Sequence, residues 1–272
     1  TPDGTTVVSA SEDKTLKIWD LTTSRCRATL EGHLGSVYGV AVASNGLTAI
    51  SSSEDRTLKI WDLVNGKCLA TMKGHSGPVY GVAVTADNLT AISCSEDKTV
   101  KIWDVASGRC YITMEGHVDS VRSVAITPDG LTAVSGSADK TLKIWNLATG
   151  RCRATLEGHS GPIWGVAVTA DALTAISCSE DRTLKVWDLV TGRCRVTLEG
   201  HVGDVLSVTI THDGRTAISS SWDNTLRVWK LPKVDAFIKD PIVKEPNSTR
   251  YTNAKVVLVG ETGVGKTGLA LR

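Results

Sequence analysis

No apolar run in the sequence approaches the roughly 20 residues that a membrane-crossing helix needs, so no stretch reads as a span. Charge of one sign is not in surplus either. The 30 Lys and Arg residues face 29 Asp and Glu residues, and this balance argues against nucleic acid or an anionic membrane as a partner. The seven cysteines are odd in number and include no CxxC pair, which argues against a disulfide framework. Five of the six histidines stand a full repeat apart, without a His or Cys partner at metal-ligand spacing, so no metal site is expected. No charged and apolar signal segment opens the chain; it begins on Thr1 inside the pattern "TPDGTT", as a piece of a longer protein would. The expectation is a soluble globular protein of the reducing cytoplasm.

What the sequence has in abundance is repetition. Gly-His pairs end on His33, His75, His117, His159 and His201, always 42 residues apart, and Trp19, Trp61, Trp103, Trp145, Trp187 and Trp229 keep the same step. Within one copy, "VYGVAV" (37–42), "LTAISSS" (47–53), "TLKIWDL" (57–63) and "KCLATMK" (67–73) are short runs rich in β-branched residues. They are bounded by the turn formers Ser44-Asn45-Gly46, Glu54-Asp55 and Asn65-Gly66. Apolar residues fall on both faces of these strands, the pattern of a small sheet sandwiched between two others. Cys26, Cys68, Cys110, Cys152 and Cys194 occupy one repeat position and read as small half-buried hydrophobes. A longer rhythm overlies the first: "SGPVYGVAVTADNLTAISCSED" (76–97) and "SGPIWGVAVTADALTAISCSED" (160–181) differ at three positions, and Cys94 and Cys178 recur with them.

A period of about 40–45 residues is that of a four-stranded propeller blade, and the Gly-His to Trp-Asp units of residues 1–231 resemble the WD-repeat family. The resemblance implies an all-β propeller of antiparallel four-stranded sheets. The chain should hold 22 strands: the last three of one blade, four complete blades over 32–199, and the first three of another. The family's usual ring has seven blades, so this piece, with about six, should form an open arc with exposed faces at its ends. Residues 232–254 then read as a linker and 255–272 as the start of a second domain.

Each copy carries a His, a strand Ser, a turn Asp and a Trp. The sets are His33, Ser51, Asp55 and Trp61; His75, Ser93, Asp97 and Trp103; His117, Ser135, Asp139 and Trp145; His159, Ser177, Asp181 and Trp187; and His201, Ser219, Asp223 and Trp229. Ser, His and Asp suggest a catalytic triad, but five equivalent sets argue for a part of every blade, and no catalytic residue is expected. The resemblance implies a structural tetrad in which the buried indole N–H finds an acceptor. Ser51 and Ser53 share a strand face, so either could join the network.

In this family the first residues of the innermost strand and those just before the turn Asp line an upper face. Here they are Tyr38, Tyr80, Arg122, Trp164 and Leu206, and Glu12, Glu54, Glu96, Ala138, Glu180 and Trp222. Glutamates interleaved with aromatic rings would suit a basic protein or peptide ligand; the alternative is a set of solvated loops.

The last 18 residues leave the pattern. "KVVLVG" reads as a buried strand, and Gly260, Gly263, Gly265, Lys266 and Thr267 spell a P-loop, whose amides and Lys hold phosphates and whose Thr would contact Mg²⁺. "KVVLVGETGVGKT" resembles the opening of Ras-like small GTPases, which implies GTP, or else ATP, as cofactor of a nucleotide switch joined to the propeller, itself expected to need none. Gly268 departs mildly from that pattern. The combined expectation is a recognition scaffold coupled to a switch or, alternatively, the regulatory part of a GTP- or ATP-hydrolysing signalling enzyme.

Overall fold

The computed structural model describes residues 1–231; the linker and the P-loop expected beyond them lie outside the described residues. Twenty-two strands form six antiparallel sheets. The first holds β1 (Thr6–Ala10), β2 (Leu16–Asp20) and β3 (Arg25–Leu30). The second holds β4 (Val37–Val42), β5 (Thr48–Ser53), β6 (Thr57–Asp62) and β7 (Lys67–Lys73). The third holds β8 (Val79–Val84), β9 (Thr90–Ser95), β10 (Val100–Asp104) and β11 (Arg109–Met114). The fourth holds β12 (Val121–Ile126), β13 (Thr132–Ser137), β14 (Leu142–Asn146) and β15 (Arg151–Leu156). The fifth holds β16 (Ile163–Val168), β17 (Thr174–Ser179), β18 (Leu184–Asp188) and β19 (Cys194–Leu198). The sixth holds β20 (Val205–Ile210), β21 (Thr216–Ser221) and β22 (Leu226–Lys230).

Short polar side chains close the hairpins. Asp62 accepts from the amides of Val64 and Asn65 at 2.8 and 3.1 Å, and Gly66, at φ +68°, completes the turn from β6 to β7. At the other end of β6, Asp55 accepts from the amide and hydroxyl of Thr57 at 3.0 and 2.6 Å.

The core lies between sheets rather than within one. Ile50, Leu58 and Ile60 of the second sheet meet Val79, Ala91 and Trp103 of the third, and five such clusters join the six sheets in succession. Each Leu or Ile so buried contributes about 1.5–3 kcal/mol. The end faces lack this cover: Ile218, Leu226 and Val228 are half-buried where Ile176, Leu184 and Val186 of the preceding sheet are buried. At the other end Val7 is exposed while its counterpart Ala49 is fully buried. The fold is thus a six-bladed all-β propeller arrangement, and the seven-bladed ring finds no support in the described residues.

Two bulges recur, and neither is visible in the sequence. Between the third and fourth strands of a sheet, Trp61 pairs with Cys68 and Ile60 with Ala70, so Leu69 is left out of the ladder. This outermost strand is an edge, and Cys26, Cys68, Cys152 and Cys194 are exposed rather than half-buried. Only Cys110 among the five has intermediate exposure. Cys94 and Cys178 are fully buried, because the middle strand is covered on both sides; their thiols press on Gly81 and Gly165, where an added Cβ would lie 3.0 and 2.8 Å from sulfur.

Burial pushes the Cys94 thiol up to about 12 and that of Cys178 higher still. Titration of the native protein with a disulfide reagent is therefore expected to modify Cys26, Cys68, Cys152 and Cys194 quickly and Cys110 more slowly. Cys94 and Cys178 should react only after unfolding; fast reaction of either in the native state would contradict the packing.

Candidate functional site

The structure brings all five quartets together with one geometry. In the second sheet, His33 Nδ1 lies 2.7 Å from Asp55 Oδ2 and His33 Nε2 lies 2.7 Å from Ser51 Oγ, while Trp61 Nε1 donates to the same oxygen at 2.8 Å. Ser93, Ser135, Ser177 and Ser219 take the same place between their histidines and tryptophans. Ser53 has a different task, donating to the Gly35 carbonyl at 3.1 Å and accepting from the Asp55 amide. In the first sheet, which has no paired histidine, Trp19 still donates to Ser9 at 2.9 Å.

Hydrogen-bond valence fixes the direction of this chain. Asp55 can only accept, so His33 carries its proton on Nδ1; Nε2 then accepts from the Ser51 hydroxyl, whose oxygen accepts from the indole. The connectivity is that of a hydrolytic triad, yet Ser51 is 0% exposed and has no face to offer a substrate. Asp55 also takes the Leu34 amide at 2.9 Å, tying the loop before β4 to the turn after β5. The repeated Thr two residues after each turn Asp (Thr57, Thr99, Thr141, Thr183, Thr225) extends the network through its hydroxyl. That Asp-x-Thr spacing is the signal in the sequence that could have revealed it.

The upper-face candidates meet through the second bulge. Val37 pairs with Ser53 and Gly39 with Ser52, so Tyr38 is left out of the ladder. Tyr80, Arg122, Trp164 and Leu206 occupy the same irregularity in their sheets. A bulge re-aims its extra side chain, and here four of them stack across neighbouring blades. The Tyr38 and Tyr80 rings are 5.4 Å apart, and the Arg122 guanidinium lies 4.7 Å from the Tyr80 ring centre and 4.9 Å from that of Trp164. The π slot between Tyr80 and Trp164 is therefore filled by the chain's own cation. Sequence reading placed Arg122 on this face but not between the rings.

Glu54 accepts from the Ser36 amide and hydroxyl at 3.2 and 2.9 Å, which holds it beside Tyr38. Burial, then Glu54, Tyr80 and Glu12, raise the Tyr38 hydroxyl above its ordinary value. Burial also raises Tyr80, against the pull of Arg122 and with the help of Glu96. Glu12, Glu54 and Glu96 thus surround the two tyrosines, while Glu180 is exposed on the fifth sheet and Trp222, 67% exposed, on the sixth.

A model of the WD domain, G-beta repeat, matches residues 1–20, 24–62, 66–104, 108–146, 150–188 and 192–230. The chain belongs to the WD-repeat family. It is also similar to small ribosomal subunit protein RACK1y of Oryza sativa subsp. japonica, at 47% identity over 45 residues, 16% of this chain and 13% of that relative. WD-repeat propellers are typically protein-interaction scaffolds, and the quartets are the part of this propeller that stays the same from blade to blade.

The quartets also set its response to acid. Burial lowers His33, His75 and His201 below their ordinary value, although Asp55, Asp97 and Asp223 pull the other way. Burial would raise Asp97, Asp139, Asp181 and Asp223, but hydrogen bonds from the paired His and Thr outweigh it and hold these carboxyls well below the usual range. Both kinds of group bind protons more readily when unfolded, so the stability they contribute is present above the unfolded values of 6.5 and 3.8 and lost below them. Thermal unfolding of this WD-repeat propeller should show a midpoint that is flat above about pH 7, declines as the histidines take up protons, and falls more steeply below about pH 4. A midpoint that rises between pH 7 and 5 would contradict the assignment.

Proposed function

We propose that the propeller holds a basic protein segment against the upper ends of its innermost strands. The stacked row of Tyr38, Tyr80, Arg122 and Trp164 carries this reading. It is a rigid aromatic platform, built on bulges where side chains leave the sheet, and anchors of this type dominate protein interfaces. Glu12, Glu54 and Glu96 beside the tyrosines, with Glu180 farther along, supply negative charge for the partner's Lys or Arg residues. Because Arg122 already occupies the slot between Tyr80 and Trp164, the partner's cations are met by carboxylates rather than by that slot. Trp222, exposed on the sixth sheet, offers an apolar anchor. The half-buried Ile218, Leu226 and Val228 fit a face against which a further sheet could pack.

A second reading rests on the sequence of the tail. Gly260, Gly263, Gly265, Lys266 and Thr267 fit a P-loop that takes GTP, or ATP, with Mg²⁺, so that partner binding at the propeller couples to a cytoplasmic nucleotide switch.

Glu54→Lys with Glu96→Lys is expected to weaken binding of a pool of Arg- and Lys-rich peptides at low salt by roughly tenfold or more, with an acidic pool as control. Unchanged binding of the basic pool would remove the proposal. For the tail, a fluorescent GTP or ATP analogue should bind with Mg²⁺, and Lys266→Ala should cost roughly 10- to 100-fold in affinity. Nucleotide binding that ignores the substitution would dispose of the switch.

A further inference from the structure

On the rim of the second sheet, where the chain leaves β7 for the third, and away from the residues of the stacked row, lies a cleft of about 520 Å³. Its wall includes Arg56, Lys59 and Lys73, the hydroxyls of Thr57 and Thr71, and Leu34, which is 83% exposed. One carboxylate, Asp55, also lines it. That carboxylate is already engaged by His33, the Leu34 amide and both donors of Thr57. Arg56, Lys59 and Lys73 form no ion pair among the described residues. Lys59 Nζ donates to Thr71 Oγ1 at 2.8 Å, so the oxygen of Thr71 is satisfied and its own hydrogen is left to point at an acceptor.

The repeat itself shows that this charge is local to one blade. The position of Lys73 is glutamate in the other copies, at Glu31, Glu115, Glu157 and Glu199, beside the same pair of basic residues. There the acid offsets the bases; here it is replaced by a third cation. The cleft therefore holds three cations against one saturated carboxylate. That surplus matches the charge of about −1.5 to −2 on a phosphorylated side chain near neutral pH, and not the single charge of Asp or Glu. Cationic donors and a free hydroxyl are also the groups that phosphate oxygens accept from.

We infer that this cleft is a recognition site for a phosphorylated serine or threonine of a protein partner. Lys73 and Arg56 hold the phosphate from the rim, Lys59 and Thr71 hold it from the wall, and Leu34 covers an apolar residue beside it. The inference rests on the reading of the propeller as a protein-interaction scaffold, but uses none of the residues of the stacked row or its glutamates.

The test uses fluorescence anisotropy of the whole chain with a labelled degenerate peptide pool fixed at a central phosphoserine. The same pool with serine, and a single-stranded RNA, serve as comparisons. The phosphoserine pool should bind at least about tenfold more tightly than the serine pool. Lys73→Glu should abolish that preference; because it installs the residue found in four other copies, the fold is kept and basic-peptide binding at Glu54 and Glu96 persists. Glu115→Lys should do the reverse and create a second site on the rim of the third sheet, beside Lys98 and Lys101, raising the stoichiometry from one to two. A preference that survives Lys73→Glu, equal binding of the two pools, or RNA bound through Lys73 at least as tightly as the phosphoserine pool would each overturn the inference.

Discussion

A four-stranded sheet with apolar residues on both faces cannot satisfy itself; it needs a neighbour on each side. Everything else in this molecule follows from that constraint. Ile50, Leu58 and Ile60 are useful only because Val79, Ala91 and Trp103 of the next sheet lie against them, and the same dependence passes along the row. It explains why the middle strands β5, β9, β13 and β17 are almost wholly buried, and why the equivalent residues of the first and sixth sheets are not. Stability in such an array is shared between neighbours rather than held in one central core.

Placing a tryptophan in every interface creates a second requirement. The indole contributes a large apolar area, but its N–H is drawn out of water with it, and a buried donor without an acceptor costs about 1–3 kcal/mol. Ser51 accepts that N–H and donates its own hydroxyl to His33 Nε2, and Asp55 accepts from His33 Nδ1. The chain of bonds ends on a carboxylate that also fixes the Leu34 amide and Thr57. One solution to one buried donor therefore ties the third strand, the second strand, the turn after it and the loop entering the blade. In the first sheet the same two parts are present, Trp19 donating to Ser9 and Asp13 accepting from the amide and hydroxyl of Thr15.

Most of the fold was legible because the repeat prints it several times. The 42-residue step, the turn formers and the two-faced apolar strands lead to 22 strands in sheets of three and four, and the structure has that organisation. The quartets were legible as residue types. The choice of Ser51 over Ser53 was not, since both point to the same side and only the place of the indole separates them. The bulges were hidden for a different reason. A bulge is a property of pairing between strands, and Tyr38 or Cys68 looks the same in sequence whether it is in the ladder or beside it. Arg122 between Tyr80 and Trp164, and cysteines turned outward on an edge strand, are both consequences of that register.

The division between what is copied and what differs has a physical cause. A residue that packs between sheets or joins the quartet meets the same neighbours in every blade, so one solution serves for all of them. A residue lifted out of the ladder by a bulge leaves the packing between sheets and meets the bulge residues of neighbouring blades. A residue at the rim, such as Lys73 at the end of β7, is exposed, so the repeated core places few demands on either. The copies accordingly agree on His, Ser, Asp and Trp while the bulge position runs through Tyr38, Tyr80, Arg122, Trp164 and Leu206, and the rim position shifts from Glu31 to Lys73 and back to Glu115. Information about partners in a molecule of this kind must reside where the repeat departs from itself, because only there can one blade be told from the next. Comparing a chain with its own copies thus separates scaffold from recognition without reference to any other sequence.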